Sequence, residues 1–277
     1  MEALDQIMEP VREPMARFEG LFAEALGSGE PPLCDIVGYL LDSPGKRVRP
    51  LLVFLTASLF GDINERTCRV ATFVEMLHTA TLLHDDVVDG DTERRGKPSV
   101  NARWDNVSAI LTGDFLLARA LLLLSDSSDT DLLSEMLHTS LAMSEGELVQ
   151  NHRRKNALTP EPLSEKLSEE AYLDIITHKT AMLMRSCCVA GALSVGAPAE
   201  QIPVIGDFGL RLGQVFQMRD DLLDADDPDS VAWAQRLLPG TLSSALESLN
   251  ILSVAGRDPA ILLALRKLAL FCAQRSL

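Results

Sequence analysis

The chain has 277 residues, 47% of them hydrophobic, enough to bury a large core in one domain or two. A formal charge of -15 excludes the broad basic footprint that nucleic acid requires, while local basic clusters remain able to bind a small anion. Five cysteines without regular spacing, with Cys187 and Cys188 adjacent, form neither a disulfide framework nor a zinc pattern and point to a reducing compartment.

The opening Met1-Glu2-Ala3-Leu4-Asp5 lacks the basic start and apolar core of a signal peptide, so a cytoplasmic location is expected. Apolar residues recur at spacings of three and four throughout, and few stretches alternate with period two. The chain therefore reads as all-α. Pro50 suits the first turn of a helix ending near Phe60, with Gly61 as its stop. A second helix runs from about Glu65 to Val88. Others are expected over Ser108–Leu124, Asp131–Arg153, Ser168–Val195 and Gln201–Asp224, and Asp258-Pro259 starts a last one reaching about Gln274. The most apolar window, Val107 to Leu124, is interrupted by Asp114 and Arg119, which argues against a transmembrane segment. Ala157 to Leu167, with two prolines and mixed charge, reads as a surface connection. Long helices around inward-facing acids suggest a large bundle with a central cavity, and the chain is read as one domain, 1–277.

Two helix ends carry the same pattern, Asp85-Asp86-Val87-Val88-Asp89 and Asp220-Asp221-Leu222-Leu223-Asp224. On a helix, residues i and i+4 share a face about 6 Å apart along the axis, so Asp85 pairs with Asp89 and Asp220 with Asp224. Two carboxylate pairs facing one cavity repel each other unless cations lie between them. Hard oxygen ligands with room for water suit Mg²⁺, which commonly bridges carboxylates to phosphates. Basic residues lie close by in sequence: Lys46, Arg47 and Arg49 in Gly45-Lys46-Arg47-Val48-Arg49-Pro50, and Arg94, Arg95 and Lys97 after the first motif. Guanidinium groups bind phosphate in bidentate fashion and lysine adds a compact charge, so the combination implies a diphosphate substrate.

These motifs, together with His78-Thr79-Ala80-Thr81-Leu82-Leu83-His84, Arg94-Arg95-Gly96-Lys97-Pro98, Gly113-Asp114-Phe115, Gly146-Glu147-Leu148, Lys179-Thr180-Ala181 and Phe216-Gln217, resemble the trans-isoprenyl diphosphate synthases, or polyprenyl synthetases. The likeness runs from about Gly45 to Asp224 and is strongest to long-chain members. It implies the isoprenoid synthase fold, a Mg²⁺-dependent prenyltransferase and a homodimer. By the resemblance, Lys46, Arg49, His78 and Arg95 bind isopentenyl diphosphate, while Arg94 and Lys179 hold an allylic diphosphate such as geranyl or farnesyl diphosphate. Asp85, Asp89 and Asp220 coordinate Mg²⁺, with Asp86, Asp221 and Asp224 completing the catalytic motifs, and Thr180 and Gln217 line the reacting centre. Thr81 and Ala80, the fourth and fifth residues before Asp85, are small where short-chain members commonly carry a bulky aromatic. A long-chain product follows.

After Asp224 the sequence departs from the family. Relatives usually continue with Gly-Lys and Gly-Lys-x-Thr-Leu-Pro stretches, whereas Asp226-Asp227-Pro228-Asp229 runs directly into Ser230-Val231-Ala232-Trp233. A segment near 226–231 is therefore suspected to be missing, either by true deletion or because a stretch of the natural chain is absent from this sequence; the resumption of the pattern on both sides favours the latter. Two other readings stay open: a non-catalytic subunit that shapes the tunnel of a partner synthase, and a terpene cyclase. The complete aspartate motifs argue against both, while the missing segment argues for the first.

Overall fold

The computed structural model describes residues 2–125, 129–157, 167–225 and 227–275. The fold is all-α. Three helices, α1 (Glu2–Met8), α2 (Arg12–Leu26) and α3 (Pro31–Leu41), precede the first predicted one. Met15, Phe18, Phe22 and Leu26 recur on one face of α2 and are all buried, so the period that makes this helix amphipathic also docks it. Then come α4 (Val48–Phe60), α5 (Glu65–Asp89), a two-stranded hairpin of Glu93–Arg94 with Lys97–Pro98, the short α6 (Val100–Arg103), α7 (Asn106–Ser125) and α8 (Thr130–Ala157). The connection expected after Ala157 lies largely outside the described residues.

α5 begins with a capping box in which Asn64 and Thr67 satisfy each other's backbone donors, and it stops at Gly90, whose φ of 71° is the left-handed conformation glycine adopts at no steric cost. The predicted helix Ser168–Val195 is present and unbroken but not uniformly α-helical. It consists of α9 (Glu169–Ile176), a π-helical turn over Thr177–Ala181, and α10 (Met182–Ser194). The π turn inserts extra backbone and so shifts the phase of the side chains beyond it. α11 (Ile202–Asp224), α12 (Pro228–Val254) and α13 (Pro259–Gln274) complete the chain. Asp227 and Asp258 cap the last two through their carboxylates.

α4, α5, α10 and α11 form the interior of the bundle, with α7 along α5 and α12 along α11. α4 is buried nearly all round; its Phe54 meets the Phe18 ring of α2, and both, like Phe73 of α5, lie in the core without exposure. Each such side chain stabilises the fold by about 1.5–3 kcal/mol. Close helix approach depends on glycines at the contacts: a Cβ on Gly191 would lie 2.6 Å from the Val53 carbonyl, and one on Gly213 would lie 2.4 Å from the Ala181 Cα. The latter contact seats α11, bearing the second aspartate motif, against the π turn.

α7 is long and apolar enough, by length and composition, to cross a membrane, despite Asp114 and Arg119. Its Ala109, Thr112, Gly113, Leu116, Ala120 and Leu124 face inward, whereas Val107, Ile110, Leu111 and Leu122 are exposed. α8 continues the apolar surface with Leu137, Leu141, Leu148 and Val149.

Candidate active site

A cavity of about 290 Å³ lies between the end of α5, the middle of α8 and the π turn. Its walls include Ala80, Thr81, Asp85, Glu147, Asn151 and Lys179. The two small residues and the first carboxylate share this wall because they lie one turn or so apart on α5. Gly146 allows α8 to approach: a Cβ there would fall 2.3 Å from the His178 Cβ. Gly113 plays the same part on α7, where a Cβ would fall 2.3 Å from His84 Nε2, the ring nitrogen that lies 3.4 Å from Asp114 and 3.2 Å from the Ile110 carbonyl.

Burial pushes the Asp85 carboxyl up to about 7, and the charges of Glu147 and Asp89 push the same way while Lys179 opposes them. An anionic Asp85 is thus disfavoured until a cation joins it. Lys179 also favours the charged form of Asp221, whose carboxyl is raised chiefly by burial, so one ammonium lies within electrostatic reach of both aspartate motifs. The motifs are otherwise unlike. Asp89 is exposed at the end of α5 and Asp224 at the end of α11. Asp220 forms an ion pair with Arg275, whose guanidinium stacks 3.8 Å from the Phe216 ring and donates to the Phe216 carbonyl at 3.1 Å. Arg275 was not singled out from the sequence, because it lies 55 residues from its partner and only the fold joins them.

Asp86 does not face the cavity. One residue on from Asp85, it is turned about 100° round α5 and is buried in an ion pair with Arg94, whose Nε donates to it at 2.8 Å. Arg94 also donates to Asp91 at 3.1 Å. Thr180, Gln217 and Asp221 form a relay across the π turn and α11. Thr180 donates to Gln217 Oε1 at 2.7 Å, Gln217 donates to Asp221 Oδ1 at 3.0 Å, and the Tyr172 hydroxyl donates to Asp221 Oδ2 at 2.6 Å.

The basic residues divide. His78 is kept neutral, well below its usual pKa, by burial first and then by Arg49, Arg95, Arg94 and Arg47. Arg49 is lowered by burial, feels both Arg95 and Asp220, and its Nε is buried without a hydrogen-bond partner. Arg95, at φ 56°, donates to the Ser43 carbonyl at 2.8 Å and lies so close to Gly45 that a Cβ there would come within 2.5 Å of it. Lys46 is exposed. Arg47 is placed otherwise than its neighbours in sequence suggest. Its left-handed backbone turns the guanidinium inward, where it bonds Glu75 at 2.7 Å and Glu19 at 3.0 Å and packs 4.5 Å over the Phe22 ring. Two carboxylates thus occupy a group expected to meet phosphate, which makes it a structural cation.

Clustered, under-partnered arginines fit an anion, and the carboxylates fit a divalent cation that keeps much of its water. No group of three or more His, Cys, Asp or Glu able to cage an ion occurs among the described residues. Shared ligation by a few carboxylates, water and substrate phosphate is the habit of Mg²⁺ rather than of zinc.

Comparison with known proteins agrees with this chemistry. The sequence matches the model of the Polyprenyl synthetase family over residues 30–232. It is 35% identical over 227 residues to the all-trans-nonaprenyl-diphosphate synthase (geranyl-diphosphate specific) of Rhodobacter capsulatus, covering 81% of this chain and 67% of that protein. It is also 35% identical to the octaprenyl diphosphate synthase of Haemophilus influenzae, covering 80% of this chain and 65% of that one. The chain thus matches about two thirds of the length of these relatives. The crystal structure of a polyprenyl synthase from Caulobacter crescentus, complexed with calcium and isoprenyl diphosphate, superposes with a TM-score of 0.82 at 28% identity, covering 99% of this chain and 98% of that one. A family-model match across most of the chain, with relatives at this identity, leads to one assignment: the chain belongs to the polyprenyl synthetase family.

Proposed function

We propose that the protein is a Mg²⁺-dependent prenyltransferase that condenses isopentenyl diphosphate with an allylic diphosphate, geranyl or farnesyl, and repeats the step to a long-chain trans-polyprenyl diphosphate. The observation that carries this reading is Lys179, within reach of both aspartate motifs and lining a cavity whose α5 wall is Asp85 above small Thr81 and Ala80.

Mg²⁺, when bound at Asp85, Asp89 and Asp220, supplies positive charge to the departing diphosphate. Lys179 adds an ammonium to the same leaving group, and Arg94 joins it through the edge of its guanidinium not spent on Asp86 and Asp91. Arg49, Arg95, Lys46 and neutral His78 hold the diphosphate of isopentenyl diphosphate, with the unsatisfied Arg49 Nε as its anchor. Arg47 is not among these groups. The Thr180–Gln217–Asp221 relay fixes a polar edge at the reacting centre, where the allylic C–O bond ionises, the double bond of isopentenyl diphosphate attacks the cation, and a proton is lost to the released diphosphate. Apolar Leu77, Leu117 and Met143 keep water from the cation, and the growing chain passes Ala80.

The active form is a cytoplasmic homodimer that covers the apolar surface of α7 and α8, and the chain forms one isoprenoid synthase domain from which a segment near 226–231 is missing. The test is incubation with labelled isopentenyl diphosphate and farnesyl diphosphate, with and without Mg²⁺, resolving products by length. Mg²⁺-dependent products well beyond twenty carbons are expected. No product with any allylic primer would reject the catalytic reading for this chain.

A further inference from the structure

α8 presents a second row of oxygen atoms to the cavity below the first aspartate motif. Glu147 and Asn151 are four residues apart, so they share one face of α8, and both line the same 290 Å³ space as Asp85 and Lys179. The Asn151 Oδ1 is buried and has no hydrogen-bond partner, as is the Oε1 of the adjacent Gln150. An orphaned buried amide oxygen is costly unless a donor arrives. Neither Glu147 nor Lys179 makes a side-chain ion pair or hydrogen bond among the described residues, although opposite charges in one small cavity would ordinarily pair. The Gly146 contact with His178 fixes α8 against the π turn, so this row is set by close backbone packing rather than by a loop.

We infer that Glu147 and Asn151 are positioning residues for the divalent cation that Asp85 and Asp89 ligate, holding its coordinated waters from the opposite wall. The inference rests on the metal reading given under Proposed function. Each acidic row offers too few ligands to fill an octahedral shell, and Mg²⁺ retains several waters whose hydrogens need acceptors. A carboxylate and an amide oxygen, one turn apart on a facing helix, supply them. Oxygen acceptors in that position tune affinity without bonding the metal.

Mn²⁺ binding to the purified full chain, read by the electron paramagnetic resonance signal of free Mn²⁺ and without any prenyl substrate, tests this. Glu147→Gln should weaken Mn²⁺ about tenfold or more, the range that lost second-sphere acceptors produce, with an unchanged melting temperature in the absence of metal. Asn151→Asp should tighten Mn²⁺ severalfold, a gain that misfolding cannot mimic. Asp85→Asn separates the two levels of the argument. If it abolishes binding while Glu147→Gln and Asn151→Asp both stay within twofold of the parent, the role of α8 is overturned and the metal reading stands. If Asp85→Asn also binds as the parent does, the metal reading falls, and this inference with it.

Discussion

Burial and the guanidiniums of Arg49, Arg95, Arg94 and Arg47 hold the His78 imidazole neutral well below its ordinary pKa. The folded imidazole refuses a proton that the unfolded chain accepts near pH 6.5, so the unfolded state binds more protons in that window and stability rises with pH towards it. As pH falls below that value, this contribution is lost. Urea unfolding from about pH 5 to 7 should therefore show a shallower pH dependence for His78→Gln than for the parent; identical slopes would mean that His78 does not feel its neighbours. A diphosphate in the cluster would reverse the field, and the His78 imidazole, followed by NMR, should then titrate at higher pH. Spacing alone places Arg47 in this cluster, since it lies two residues from Arg49. Its left-handed backbone, which sends the side chain to Glu19 and Glu75, is a tertiary outcome that no count along the chain discloses.

α5 carries the first aspartate motif and, on the same cavity wall as Asp85, small Ala80 and Thr81, and it follows its predicted limits closely, with a capping box at its start and Gly90 at its end. α4, α7, α8, α11 and α13 were legible for similar reasons. α2 carries an equally clear period in Met15, Phe18, Phe22 and Leu26. α12 was concealed by Pro239 and Gly240, residues that ordinarily end a helix but lie within this one. The π turn at Thr177–Ala181 has no sequence signal because it needs no special residue, although Lys179-Thr180 stands out by resemblance. On α5, Ala80→Phe would set an aromatic ring into the cavity one turn below Asp85. Products of the variant, resolved by length, should be shorter by several five-carbon units at comparable turnover of the first condensation. Unchanged length would show that the chain does not pass Ala80.

The molecule exposes many large apolar side chains on α7 and α8. Leu111 of α7 is 60% exposed and Leu141 of α8 is 57% exposed, amid further apolar residues on both helices. Exposed apolar side chains gathered on two helices in this way are costly to leave in water and mark an interaction surface. Sedimentation should find a dimer for the parent and a monomer for Leu111→Glu; a monomeric parent would require another occupant for the patch. None of this surface was legible in the sequence, where Val107 to Leu124 reads simply as an apolar run, and only packing against α5 reveals which half remains uncovered.

The ion pair of Asp220 with Arg275 gives the two ends of the site different histories. Asp220 already has a cation beside it, delivered by the residue that follows α13, while burial and the charges of Glu147 and Asp89 raise the Asp85 carboxyl against the opposing pull of Lys179. Under the proposed metal reading, divalent ions should form a queue: the Asp85 side fills first, and the Asp220 side only when the Arg275 guanidinium steps aside. A calorimetric Mn²⁺ titration should resolve two phases in the parent, and Arg275→Gln should merge them into one. α13, the most distant helix along the chain, would thereby set the order in which the centre is assembled.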